Sequence, residues 1–128
     1  SFLFPRQIPS LGKKGEKKAA EYLRKKGFQI LEMNYKNPKG RQLGEIDIIA
    51  KNGKEIVFVE VKTRKGGPGI VFPEDNLTPE KLRKLERVAE YYLQSNKLLE
   101  NPYHFDAIAV SFDQKDCISV RHFEHIFV

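Results

Sequence analysis

GEIDIIAKNGKEIVFVEVKTR, residues 44–64, decides the fold. Two apolar runs rich in β-branched residues flank Asn52-Gly53. Asn-Gly between such runs predicts a two-residue hairpin turn, because both turn positions favour positive φ. Gly44–Ala50 and Glu55–Arg64 are therefore expected to be antiparallel neighbours. Pairing about Asn52-Gly53 sets Asp47 opposite Phe58 and makes Asp47 and Glu60 diagonal neighbours on one face. Glu55–Arg64 is apolar on both faces at its start, the pattern of a strand inside a sheet.

The same stretch breaks its own hydrophobic pattern. Alternation puts Ile56, Phe58, Glu60 and Lys62 on one face and Val57, Val59 and Val61 on the other. Asp47 shares a face with Glu45 and Ile49. Upstream, Glu16 lies on a helical stripe with Ala19, Ala20 and Leu23. Withdrawing an ion from water costs several kcal/mol even after relaxation, against a domain stability of roughly 5–15 kcal/mol. A divalent cation, Mg²⁺ or Mn²⁺ held by Glu16, Asp47 and Glu60, would compensate. Asp…Glu-x-Lys then reads as a metal-dependent phosphodiesterase: the ion polarises a phosphoryl oxygen and acidifies a bound water, and Lys62 supplies a compact positive charge beside the reacting group. The competing reading is a surface ion pair between Glu60 and Lys62, with Asp47 beside a turn and Glu16 on a helix rim. Glu45 is either an outer acid of the site or an exposed strand-end charge.

Outward from this hairpin, Leu11–Lys26 predicts a helix stopped by Gly27, and Phe28–Tyr35 a first strand. Asn37–Gly40 is a turn cluster. A loop runs from Lys65 to Asn76. Thr78-Pro79-Glu80 starts a second helix, Thr as N-cap and Pro in the first turn, with an apolar stripe of Leu82, Leu85, Val88 or Ala89, and Tyr92. Tyr103–Phe112 is a fourth strand, Asp113–Asp116 a turn and Ile118–Val120 a fifth strand. The expected class is α/β: an α-β-β-β-α-β core with one further strand, and a central mixed sheet flanked by helices. Residues 1–128 are expected to form one domain, with 1–10 as a loose N-terminal segment.

The chain has 128 residues and a net charge of +6, from 23 Lys+Arg and 17 Asp+Glu. The first thirty residues carry eight basic groups (Arg6, Lys13, Lys14, Lys17, Lys18, Arg24, Lys25, Lys26) against Glu16 and Glu21. The rest of the chain is balanced, so the whole excess sits in one region. Concentrated positive charge suits a polyanion, and nucleic acid is the commonest. Candidate phosphate contacts are Lys13, Lys14 and Lys17, then Arg41 with Lys36 and Lys39, Arg64 and Lys65 at the end of the third strand, and Lys81 and Lys84 on the second helix. DNA is expected before RNA. A homodimer is a further candidate assembly.

No apolar run approaches the roughly 20 residues needed to span a bilayer, and Phe2-Leu3-Phe4 ends at Pro5, too short for a signal-peptide core. One cysteine, Cys117, excludes an internal disulfide and a multi-cysteine zinc site. The cytoplasm is the simplest location. His104, His122 and His125 have no metal-ligand spacing with Cys117 and read as ordinary strand and tail residues. Asp106 reads as a structural acceptor for a neighbouring loop. Gly66–Gly69 lacks the Lys-Ser/Thr of a phosphate-binding loop.

GEKKA (Gly15 to Ala19), GEIDIIA (Gly44 to Ala50), VFVEVKTR (Val57 to Arg64), the Thr78-Pro79 helix start and FDAIAV (Phe105 to Val110) together resemble the uncharacterised YraN-like family of bacterial proteins. That family is grouped with the PD-(D/E)xK, restriction-endonuclease-like nucleases, close to archaeal Holliday junction resolvases. The resemblance covers nearly the whole chain from residue 11. It implies the restriction-endonuclease-like core and a DNA endonuclease, acting on branched or otherwise structured DNA. It also implies Asp47 as the first motif acid, Glu60 and Lys62 as the E-x-K pair, and Glu16 as the helix acid of the resolvase branch. Ile46 stands where the superfamily pattern carries Pro. A non-catalytic nucleic-acid-binding module on the same fold is the alternative, since fold does not fix function.

Overall fold

Ser10 starts the first helix by accepting the Lys13 N–H on its side chain, an N-cap that satisfies one of the helix's orphan donors. The helix, α1, spans Leu11–Lys25 and ends where Gly27 takes φ +93°, a conformation that favours glycine. Its buried face is Gly15, Ala19, Ala20 and Leu23. The computed structural model describes residues 10–37, 44–66, 78–114 and 116–127. Within them follow β1 (Gln29–Lys36), β2 (Glu45–Asn52), β3 (Glu55–Lys65), α2 (Pro79–Ser95), β4 (Tyr103–Asp113) and β5 (Asp116–Phe123). The α-β-β-β-α-β order with a further strand is the expected one. The expected 1–10 segment (Ser10 apart), most of the 37–40 turn, most of the 65–76 loop, and Lys39 and Arg41 lie outside the described residues.

The five strands form one sheet in the order β1-β2-β3-β4-β5, with β3 at its centre. β3 and β4 are parallel, and the other neighbours are antiparallel. Parallel neighbours need a crossover, and α2 lies within it. Thr78 caps α2 by accepting the Lys81 N–H at 3.2 Å, and Pro79 follows at its start. Alternation along the strands gives the sheet two apolar faces. Ile48, Ala50, Val57, Val59, Ile108 and Val110 pack with Ala19, Ala20 and Leu23 of α1. Ile49, Ile56, Phe58 and Phe105 pack with Val88, Ala89, Tyr92 and Leu93 of α2. The result is a mixed sheet between two helices.

Two local expectations are corrected. Asn52 pairs with Glu55, so the turn residues are Gly53-Lys54, not Asn52-Gly53. Gly53 has φ +63°, and Asn52 is not among the residues with positive φ. Glycine at the first central position is the preference of a type II′ turn, whose twist suits a hairpin as well as type I′ does. The register follows: Ile49 faces Phe58 and Ile48 faces Val59. One further step brings Asp47 level with Glu60, rather than opposite Phe58. In β1 the expected faces, Phe28, Ile30 and Glu32 against Gln29, Leu31 and Met33, do not hold throughout, because the register shifts between Ile30 and Glu32 and Asn34 takes φ +54°. Ile30 packs on the α1 side, and Leu31 and Tyr35 pack on the α2 side.

Candidate active site

The β2–β3 ladder stops at Ile48–Val59. Beyond it β2 stays on β1, through Tyr35–Ile46 and Lys36–Glu45, and β3 stays on β4, from Glu60–Ala107 to Lys65–Phe112. The two central strands part, and Asp47 stands at the fork. Its Oδ2 accepts the Val61 N–H at 2.8 Å, so a side chain replaces the ladder where the main chains diverge. Burial pushes the Asp47 carboxyl up to about 7; the Val61 N–H opposes this, and Glu60, Glu16 and Glu45 add to it by repulsion. All four acids singled out in the sequence thus share one electrostatic neighbourhood.

Gly15 explains how α1 delivers Glu16. A Cβ at position 15 would overlap Thr63 Oγ1 on β3, so only glycine allows this approach. Glu16, next in sequence, is 15 % exposed. Its Oε1 is buried with no hydrogen-bond partner among the described residues, and Lys13 Nζ stands 3.7 Å away. Lys62 Nζ stands 3.6 Å from Glu60 Oε1, and both side chains are about one quarter exposed. Three hard carboxylates, one with an orphaned oxygen and one resisting ionisation, are a donor set that suits Mg²⁺ or Mn²⁺. Their donor atoms do not all lie within 4.8 Å of one another, and Lys13 and Lys62 stand against two of them. The His, Cys, Asp and Glu groups whose donor atoms already lie within 4.8 Å of one another are elsewhere among the described residues: Glu55–His104–His125 and Asp106–His122–Glu124.

Two clefts open beside the fork. Ser10, Gly12, Lys13, Glu16, Asn34, Lys36 and Glu45 line the one beside α1. Gly44, Glu45, Glu60, Lys81, Lys84 and Leu85 line the one beside α2. Glu45 borders both, is 37 % exposed and pairs with Lys36 at 3.9 Å, the strand-end charge of the sequence reading. Lys81 and Lys84 therefore share a cleft with Glu60, although Lys84 also pairs with Glu80 at 3.8 Å. Lys17, Arg64 and Lys65 are exposed and Lys14 is half-buried. Sequence reasoning missed Gly15 and Thr63 as positioning residues. The available signal was a glycine inside a helix, which costs about 1 kcal/mol against Ala and usually has a packing reason.

The histidines lie where expected, His104 on β4, His122 on β5 and His125 on the tail, but Asp106 gathers them. Asp106 is buried on β4 and accepts the His125 N–H at 2.9 Å, the structural role expected of it. His122 Nε2 lies 2.6 Å from its Oδ2, and His104 Nε2 lies 3.0 Å from its Oδ1. Burial alone would raise the Asp106 carboxyl; the bonds from His122 and His125 and the facing His104 outweigh it and hold the group below its usual range. His122 Nδ1 meets the Tyr22 hydroxyl at 3.2 Å, which in turn accepts from Lys26 at 3.1 Å. The signal was the i, i+2 spacing of His104 and Asp106, which puts both on one face of a strand. Cys117 is half-buried and free.

No described helix is long and apolar enough to cross a membrane. The model of the uncharacterised protein family UPF0102 matches residues 15–110. A UPF0102 protein of Caldicellulosiruptor saccharolyticus is 45% identical over 106 residues, covering 83% of this chain and 86% of its own length. One from Thermodesulfovibrio yellowstonii is 44% identical over 120 residues, 91% of this chain and 95% of its own. One from Thermotoga petrophila is 41% identical over 116 residues, also 91% and 95%. The matched region contains Gly15, Glu16 and the whole fork, and the chain belongs to the uncharacterised protein family UPF0102, the YraN-like group that its motifs resemble.

Proposed function

We propose that this protein is a Mg²⁺- or Mn²⁺-dependent endonuclease that hydrolyses phosphodiester bonds in DNA, with branched or structured DNA as the preferred form. The observation that carries the reading is the fork: Asp47 at its apex, level with Glu60, with Glu16 brought in by the Gly15–Thr63 contact. Glu16, Asp47 and Glu60 would hold the ion, whose chemistry is to polarise a phosphoryl oxygen and lower the pKa of a bound water. The Val61 N–H orients Asp47. Lys62, released from Glu60, would face the charge that develops on the phosphate. Lys13, Lys36, Lys81 and Lys84 line the two clefts and offset the repulsion between the acids and a polyanion.

Nicking of branched and plain duplexes tests the reading. Wild-type protein should cut only with Mg²⁺ or Mn²⁺, and Asp47→Ala and Lys62→Ala should each lose the cutting. Equal cutting by wild type and both variants would trace the activity to a contaminant and remove the proposal. One observation favours a second reading, a binding module without catalysis: Lys13 and Lys62 already stand against Glu16 and Glu60. Calorimetry with Mn²⁺ separates the two. Heat that disappears in Asp47→Ala supports the enzyme, and no heat from wild type, even with DNA, supports the module.

A further inference from the structure

A second cluster stands apart from the acids of the fork. It joins three segments distant in sequence: Glu55 at the start of β3, His104 near the start of β4, and His125 on the tail beyond β5. Glu55 Oε1 abuts His104 Nδ1, and the donor atoms of all three residues lie within 4.8 Å of one another. His104 Nδ1 is buried, and the group it meets is the Glu55 carboxylate. Two further features aim these groups. His104 Nε2 faces Asp106 Oδ1 at 3.0 Å. A carboxylate behind an imidazole is the support that fixes the tautomer of a ligating histidine and leaves the other nitrogen's lone pair free. His125 takes φ +52°, a backbone region that residues other than glycine seldom enter, and its N–H is tied to the same Asp106 oxygen. That conformation stacks its ring on His104, with centroids 3.9 Å apart. Unusual backbone that its surroundings hold in place is a pointer to function. In the neighbouring Asp106–His122–Glu124 group, His122 Nδ1 meets the Tyr22 hydroxyl rather than a second carboxylate.

We propose that Glu55, His104 and His125 bind a transition cation of the Zn²⁺ class, separate from the acids of the fork, and that the ion clasps the C-terminal tail to the starts of β3 and β4. Two imidazoles and one carboxylate suit Zn²⁺ and its first-row neighbours, whereas Mg²⁺ prefers oxygen alone. Three protein ligands leave a fourth position for water or an external group. Asp106 supports His104 from behind and is not itself a ligand. The proposal does not depend on the nuclease reading.

The test is Zn²⁺ titration of the chelator-stripped full chain by calorimetry, with Co²⁺ absorption as a second readout. With excess Mg²⁺ present to occupy the fork, wild type should take up one tight equivalent. Glu55→Gln and His125→Asn should each weaken uptake at least tenfold; Asn tolerates the left-handed backbone, so the second variant keeps the tail in place. Asp47→Asn should leave uptake unchanged, and Zn²⁺ should raise the melting temperature of wild type but not of His125→Asn. Absence of uptake by wild type would overturn the proposal. So would equal uptake by wild type, Glu55→Gln and His125→Asn, or uptake abolished by Asp47→Asn.

Discussion

At the residue scale, Asp47 couples fold to chemistry. Its carboxyl is raised to about 7, first by burial, and the unfolded chain would ionise it near 3.8. An acid with a raised folded value binds protons more tightly when folded. Its penalty to stability is therefore small below pH 4, grows as pH rises toward 7 and levels off above. At about 1.4 kcal/mol per unit, the full penalty is on the order of 4 kcal/mol. Asp47→Asn keeps an oxygen for the Val61 N–H and removes the charge. Without divalent ions it should be more stable than wild type at pH 8 and about equal at pH 4, as urea melts at the two pH values would show. Saturating Mn²⁺ should close the gap at pH 8, because an ion bound to the carboxylate stabilises only the wild type. Gly15 makes a second case. Gly15→Ala should cost roughly 1–3 kcal/mol by overpacking against Thr63. Thr63→Ala in the same chain should recover part of that loss, and an additive double variant would disprove the contact as the cause.

At the element scale, the hairpin shows what could and could not be read in advance. Asn52-Gly53 marks the turn, but the strand residue and the turn residue exchange roles: Asn52 pairs with Glu55, and Gly53 carries the positive φ. A non-glycine side chain in the left-handed region costs roughly 1–2 kcal/mol. Gly53→Ala should therefore lose about that much in a thermal or urea melt. Asn52→Ala, at an exposed strand position, should stay within about 0.5 kcal/mol. The reverse ranking would restore Asn52-Gly53 as the turn. Element type was legible because apolar periodicity and the Thr78-Pro79 start are local. Register was not, because two turn types share one dipeptide and differ only in which residue takes positive φ. The β1 irregularity was hidden for a related reason: a shift at Ile30–Glu32 and a left-handed Asn34 depend on β2 beside them, not on β1's own pattern. Glu16, Asp47, Glu60 and Lys62 were legible because they interrupt apolar faces. The histidine cluster was not, because Glu55, His104 and His125 meet only through strand order.

At the scale of the molecule, charge and acids are arranged around one fork. Lys13 lies on α1 beside the first cleft, and Lys81 and Lys84 lie on α2 beside the second, with Glu45 bordering both. A backbone crossing the fork would meet positive charge from both helices, whereas one lying along α1 would meet only the first set. Salt dependence separates these geometries, since each phosphate neutralised on a duplex contributes about 0.9 to the slope of log affinity against log salt. Lys13→Glu with Lys17→Glu should lower that slope by up to roughly 2, and Lys81→Glu with Lys84→Glu should lower it by a similar amount. Combining the four should add the two losses, because the helices lie on opposite faces of the sheet. Binding measured between about 50 and 200 mM salt covers the informative range. An unchanged slope in the α2 pair would confine DNA to the α1 side, and Glu60 and Lys62 would then have to be reached from the Glu16 cleft alone. An unchanged slope in both pairs would leave these lysines as solvated charge, and the fork's acids without the positive surround that a DNA-cutting site requires.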